Sequence, residues 1–244
     1  MLKYPLSTLL YIAKINIKDT IKDTLRLKNN IDIRLTVTIK DKNGKIIKQH
    51  KQHSHSFLMN FATIIAQEML NSYGSSNNYY NFRVTAGSWY SYNFTASNIS
   101  NILTILDGAN DSTYGIVVGT GTATPTPNDY NLQNQIINGT GSGQLSYGAH
   151  TINPAPQTIG TSANITTTTT PTSGLLPVSG NTTSFQVSRQ FTNQSGASIT
   201  VSEVGLYSDT ANGIALIVHD LLSSPVTVPN LSILQITYTI SVTT

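Results

Sequence analysis

"TSFQVSRQFTNQSGASITVSEVGLY", residues 183–207, contains two alternating runs joined at Asn193–Ser198, and its reading decides the fold. Phe185, Val187, Arg189 and Phe191 share one side of the first run; Val201, Glu203, Gly205 and Tyr207 share one side of the second. A period of two marks a half-buried strand, and a short connection rich in Asn, Ser and Gly marks a hairpin. Centred on Gly196, the hairpin sets Phe191 opposite Val201, Arg189 opposite Glu203, Val187 opposite Gly205 and Phe185 opposite Tyr207. Arg189 is the only Lys or Arg after Arg83, and Glu203 is the only acid between Asp129 and Asp209. The reading therefore predicts a cross-strand ion pair in an apolar face, which penalises a slip of register. It makes Glu203 part of the scaffold. A catalytic carboxylate would need a second carboxylate or a His partner, and none is near it in sequence.

Working outward, "YGIVVGT" (114–120), "GIALIVHDLL" (213–222) and "LQITYTISV" (234–242) are further strands in a region rich in Gly, Ser, Thr and Asn that begins at Tyr73. The low-complexity stretch 164–183 reads as an extended loop. Upstream, Ile31, Ile33, Leu35, Val37 and Ile39 alternate with Asp32, Arg34, Thr36 and Thr38, and an Asn43-Gly44 turn leads into a returning strand. Phe57, Phe61, Ile64, Ile65 and Met69 then recur at helical spacing after a Ser54 or Ser56 N-cap. Leu9, Ile12, Ile17, Ile21 and Leu25 suit an interrupted amphipathic helix. The expected fold is mainly β: an antiparallel β-sandwich or jelly-roll-like domain with a small N-terminal α+β segment of helix, hairpin and helix. The expected divisions are a helical arm over 1–30 that docks on a neighbour, a basic hairpin plus helix over 31–72, and a β domain over 73–244.

Composition removes whole classes of function. The chain has no cysteine, which excludes disulfides, zinc fingers and thiol catalysis. Charged residues are 10% of the chain, against roughly 25% in an average soluble protein. A neutral hydrogen-bonding surface of this kind keeps its solubility when carboxylates are protonated, as in acid or outside a cell. Charge is also segregated. Residues 1–60 hold 12 Lys and Arg against 4 acids, a net +8, whereas residues 61–244 hold 2 against 7, a net −5. The basic segment suits contact with a nucleic acid genome, an anionic membrane lipid or a neighbouring subunit, or is simply a solvated face.

Chemistry-bearing motifs are few. His53 and His55 lie on one face of a strand, and copies from a trimer would be needed to complete a metal site. "VVGTGTATP" (117–125) lacks the Lys of a phosphate loop, and Pro125 and Pro127 block a following helix. His150 and His219 stand isolated, with no Ser-His-Asp arrangement in view, so no catalytic residue, metal or cofactor is expected. Eight Asn-x-Ser/Thr sequons, at Asn93, Asn98, Asn110, Asn138, Asn164, Asn181, Asn193 and Asn230, fall only after residue 91 and mark candidate glycosylation positions. Tyr79, Tyr80, Trp89, Tyr90 and Tyr92 form an aromatic cluster, suited to glycan stacking or to a buried interface.

"DSTYGIVVGTGTATPTPNDYNLQNQI" (111–136), "RQFTNQSGASITVSEVGLY" (189–207) and "HDLLSSPVTVPNLSILQITYTI" (219–240) resemble segments of minor structural proteins (tail, fibre, collar or vertex) in virions of viruses of bacteria and archaea. The Lys-, Ile- and Asn-rich start, the sequons and the absence of Cys point toward a virus of a thermophilic archaeon. The resemblance implies a non-enzymatic β module that assembles with itself, as a homo-oligomer, and with other virion proteins. The expected function is thus a structural component of a tail, collar, adaptor or capsid vertex, localised in the virion. The alternative is a receptor-binding module for host surface glycans. A carbohydrate-active enzyme would require paired carboxylates, and the acids of the β region fall mostly in turns.

Overall fold

A computed structural model describes residues 30–54, 57–69, 81–91, 104–153, 178–179, 182–210 and 213–243. The helical arm expected before Asn30 and most of the 164–183 loop lie outside the described residues. What is described is mainly β, in antiparallel sheets, with one short helix, an arrangement consistent with a β-sandwich. In chain order the elements are β1 (Asn30–Lys40), β2 (Ile46–His53), α1 (Met59–Met69), β3 (Asn81–Arg83), β4 (Trp89–Ser91), β5 (Gly115–Gly119), β6 (Ser146–Asn153), β7 (Val178–Ser179), β8 (Thr182–Thr192), β9 (Ile199–Thr210), β10 (Gly213–Val228) and β11 (Ile233–Thr243). The larger sheet runs β2-β1-β11-β8-β6, with β7 also on β8; a second sheet runs β10-β9-β5, and β3 pairs with β4.

The alternation in β1 does what its pattern requires. Ile33, Leu35, Val37 and Ile39 are buried while Arg34 is exposed, and β11 meets them in register, with Leu35 opposite Tyr238, Val37 opposite Ile236 and Ile39 opposite Leu234. The turn into β2 places Gly44 at φ +83°, where a side chain is disfavoured. Asp41 Oδ1 accepts from the Asn43 and Lys45 amides at 2.8 and 2.9 Å. A hairpin alone is marginal in water, and this one gains its stability by pairing along β11. The strands of the basic hairpin expected over 31–72 thus belong to the same sheet as the C-terminal strand.

The helix begins at Met59, later than the expected caps. Ser54 Oγ donates instead to Asp220 Oδ2 at 2.8 Å, and the Leu58 carbonyl accepts the first helical bonds from Phe61 and Ala62. Ser56 lies outside the described residues. Leu58 and Met59 donate their amides to Ile217 and Pro127, so the segment entering α1 closes the outer edge of β10. On the other flank, Ile136 and Thr120 extend pairing beyond β5, with Ile136 N donating to Val118 O and Thr120 N to Asn134 O. The smaller sheet thus has both edges covered from within the chain.

The decisive stretch forms two strands, as expected, but not a hairpin. β8 is hydrogen-bonded to β11 and β6, while β9 is hydrogen-bonded to β10 and β5. With all four edges taken, the Asn193–Ser198 connection carries the chain from one sheet to the other. Asn193 Oδ1 accepts from Ser195 N at 3.0 Å, and Gly196 takes φ +84°. A five- or six-residue loop with one left-handed glycine serves either connection, and strand periodicity is the same in both. Phe191, Val187, Leu234, Ile236, Tyr238, Val204, Leu206 and Val118 of the two sheets join in one hydrophobic core. Each full burial of such a side chain contributes roughly 1.5–3 kcal/mol.

Candidate functional site

Because β8 and β9 occupy different sheets, Arg189 and Glu203 do not pair. Arg189 lies opposite Ile236 and His150; Glu203 lies opposite Leu221 and Gly119. This overturns the expected ion pair, although both side chains are 1% exposed. Each instead organises a different set of loops.

Arg189 points into the space between the sheets and donates only to backbone carbonyls. Its Nε reaches Gly148 O at 2.8 Å, Nη1 reaches Tyr114 O and Ile116 O at 3.2 and 3.1 Å, and Nη2 reaches Gly108 O and Asp111 O at 3.0 and 2.5 Å. The guanidinium carbon lies 4.8 Å from the Tyr147 ring centroid, and Asp107 Oδ2, which has no hydrogen-bond partner among the described residues, is 3.6 Å from Nη2. All five donors of the fork are spent, an arrangement only arginine supplies. His150, its register neighbour, accepts from Ile116 N at 2.8 Å through Nε2, and its Nδ1 lies 3.0 Å from Asp107 N and 3.1 Å from Asp107 O. Burial pulls its pKa down to about 4, keeping it neutral.

Glu203 plays the reciprocal part with amides. Val204 is opposite Asp220, whose Oδ2 accepts from Tyr238 Oη of the larger sheet at 3.0 Å, so that pair faces inward and Glu203, one residue before, faces away. There the loop between β5 and Ile136 covers it. Oε1 accepts from Gly121 N at 2.9 Å and Asn134 N at 2.8 Å, and Oε2 from Gln133 N at 3.0 Å. A side chain at Gly119 or Gly121 would collide with this carboxylate, which is why the loop reads Gly-Thr-Gly. His219, which the sequence reading left isolated, is not: it places Nε2 3.0 Å from Glu203 Oε2 and Nδ1 2.8 Å from Asp129 Oδ2. Burial by itself would lower the His219 pKa, but hydrogen bonds and charge from Glu203 and Asp129 outweigh it and raise the value. Both carboxylates are burdened by burial and still held below their usual range, Glu203 by His219 and the loop amides, Asp129 by Thr126 and His219.

Asp129, His219 and Glu203 thus meet in a line that resembles catalytic machinery. A His that activates a nucleophile needs one ring nitrogen free, and here both face carboxylates. The bonding capacity of the cluster goes into fastening the 119–136 loop. Among the described residues no three His, Cys, Asp or Glu side chains form a group able to hold a metal ion. His53 is exposed and lies 3.1 Å from Asp32, while His55 is outside the described residues.

The aromatic candidates that are described lie on the surface. Of the five candidate aromatics, Tyr79, Tyr80 and Tyr92 lie outside the described residues; Trp89 and Tyr90 on β4 are 53% and 40% exposed. Two residues join Trp89 that sequence reasoning had not singled out. Arg83, opposite Trp89 in register, sets its guanidinium carbon 5.8 Å from the Trp89 centroid and 3.7 Å from that of Tyr130. The layers run indole, guanidinium, phenol. The signal available in the sequence was the rarity of cations after Lys51.

Of the sequons, Asn93, Asn98, Asn164 and Asn181 are outside the described residues. Asn110 and Asn230 are exposed and Asn138 is half-buried. Asn193 is fully buried, its Nδ2 donating to Ala197 O and Val228 O at 2.8 Å each, which overturns its assignment as a glycosylation position. Comparison of the chain with protein-family models, with curated proteins and with solved structures gives no match.

Proposed function

We propose that the chain is a structural component of a virus particle, a non-enzymatic, jelly-roll-like module that forms a symmetric ring or trimer in a tail, collar, adaptor or vertex. The observation that carries this is the edge at β2. It ends the larger sheet, no described strand pairs with its outer side, and it carries Ile46 and Ile47 at 55% and 58% exposure beside Lys45, Lys48 and Lys51. Exposed edge strands are ordinarily closed or blunted, and lysines blunt this one against copies of itself. They favour a contact with the acidic remainder of the chain, net −5 over residues 61–244, and a head-to-tail contact of that kind closes into a ring. The segments carrying the virion resemblance also supply Glu203, Arg189, His219, Asp129 and the Gly119–Gly121 loop, all used inside the fold.

The test is the mass in solution by light scattering at low and high salt. A discrete oligomer that weakens with salt and is lost on Ile46→Glu/Ile47→Glu supports the reading. A monomer at every concentration and pH removes self-assembly as the function of the isolated chain. A second reading, a glycan-binding receptor module, is favoured by the exposure of Trp89 and Tyr90.

A further inference from the structure

We propose that Trp89, Arg83 and Tyr130 form a binding site for a carboxylate-bearing sugar, a uronic or sialic acid residue of a surface glycan; the inference rests on the receptor-module reading. Two scarce residues coincide here. Trp89 is the only tryptophan of the chain, and it is more than half exposed. Arg83 and Arg189 are the only Lys or Arg after Lys51, and Arg189 is buried with every donor engaged. The sole cation at the surface of described residues 57–243 thus lies against the sole indole.

The chemistry of the two is complementary to an acidic pyranose. The apolar face of a sugar ring stacks on an indole, and a guanidinium binds a carboxylate through two parallel N–H donors. Arg83 donates Nε to Gly87 O at 3.1 Å, and among the described residues its terminal nitrogens meet no carboxylate. Stacking on Tyr130 fixes the plane of the fork, so little side-chain entropy is lost when a carboxylate docks.

The platform stands on rigid parts. Asn60 holds both backbone groups of Arg83, accepting from its amide and donating to its carbonyl at 2.8 Å each. The β3–β4 turn closes with Gly87 at φ +81°, and Thr85 is bonded on both sides, its amide to Ile214 O and its carbonyl to Asn131 Nδ2. Tyr130 follows Asp129, which the His219–Glu203 cluster anchors. Binding through one ring and one bidentate contact has a Kd on the order of 0.1–1 mM, and copies arrayed in an oligomer multiply it.

Because Trp89 is the only indole, intrinsic fluorescence reads this site alone. The native protein is titrated with sialyllactose and trigalacturonic acid, and with lactose and maltotriose as neutral probes. The expected result is a saturable emission change with an acidic probe, at least about tenfold weaker with the neutral ones. Arg83→Gln should erase that preference, and Arg83→Lys should retain part of it, with circular dichroism unchanged. A saturable response to the neutral sugars alone, or an acid response indifferent to Arg83→Gln, overturns this inference and leaves the receptor reading standing. No response to any of the four overturns both.

Discussion

His219 Nε2 lies 3.0 Å from Glu203 Oε2 across β9 and β10, on the face of the smaller sheet that turns away from the larger one. That contact, with three loop amides on the same carboxylate, makes Glu203 the fastening of the 119–136 segment. Removing it leaves buried donors without an acceptor. Glu203→Ala should therefore cost about 3–5 kcal/mol in urea unfolding. Gly121→Ala should destabilise the native protein because its methyl group meets the carboxylate, and the two effects should be less than additive in the double variant.

Arg189 and Glu203 share no hydrogen-bond partner, so their conservative variants should behave independently. A direct ion pair would show a large coupling energy in a double-mutant cycle. Arg189→Lys, which can satisfy at most three of five carbonyls, and Glu203→Gln should each be destabilising and should add within about 0.5 kcal/mol. A coupling well above that value would restore the direct pair.

The acid and alkaline limbs of stability should have different owners. His150 has a folded pKa of about 4, below its unfolded value near 6.5, so its contribution is complete above pH 6.5 and is lost as the pH falls toward 4. The loss amounts to about 3 kcal/mol, and His150→Gln should flatten it. His219 acts with the opposite sign: its folded pKa is raised, so its contribution is complete below pH 6.5 and fades as the pH rises through the folded value. Urea midpoints from pH 4 to 9 should peak between the limbs and lose the acid one in the variant.

Expression in a host that N-glycosylates should leave Asn193 unmodified in the folded protein, by peptide mass spectrometry, while Asn110 and Asn230 remain accessible. Asn193→Ala should lower stability by about 1–3 kcal/mol, since it strands Ala197 O and Val228 O and removes the acceptor for Ser195.

The β character of the chain was legible because its strongest strands carry alternating apolar residues, Ile33 to Ile39 most cleanly, and the Asn43-Gly44 turn has its own chemistry. β6 was not, since "SYGAHTIN" offers only Tyr147 and Ile152 as large apolar residues in a half-buried edge. The pairing of β8 and β9 was misread for a deeper reason: alternation reports which side of a strand is dry, not which strand lies beside it. Glu203 was given the wrong partners, because His219, with Asp129 behind it, reaches it only once β10 and the 119–136 loop are in place. The backbone amides that hold it carry no side-chain signature at all.

Arg189 and Glu203 contact the loops through main-chain oxygens and nitrogens, not through the side chains those loops display. Exposed positions of these loops whose side chains hold nothing in the fold, such as Ala109, Thr122, Ala123, Thr124 and Asn128, are free to change identity while the path of the chain stays the same, whereas Ile116, Asp129, Leu132 and Gln133 are held by burial or by side-chain hydrogen bonds. A lineage under pressure to alter what it presents outward can therefore vary its surface by point substitution without having to invent a new loop each time.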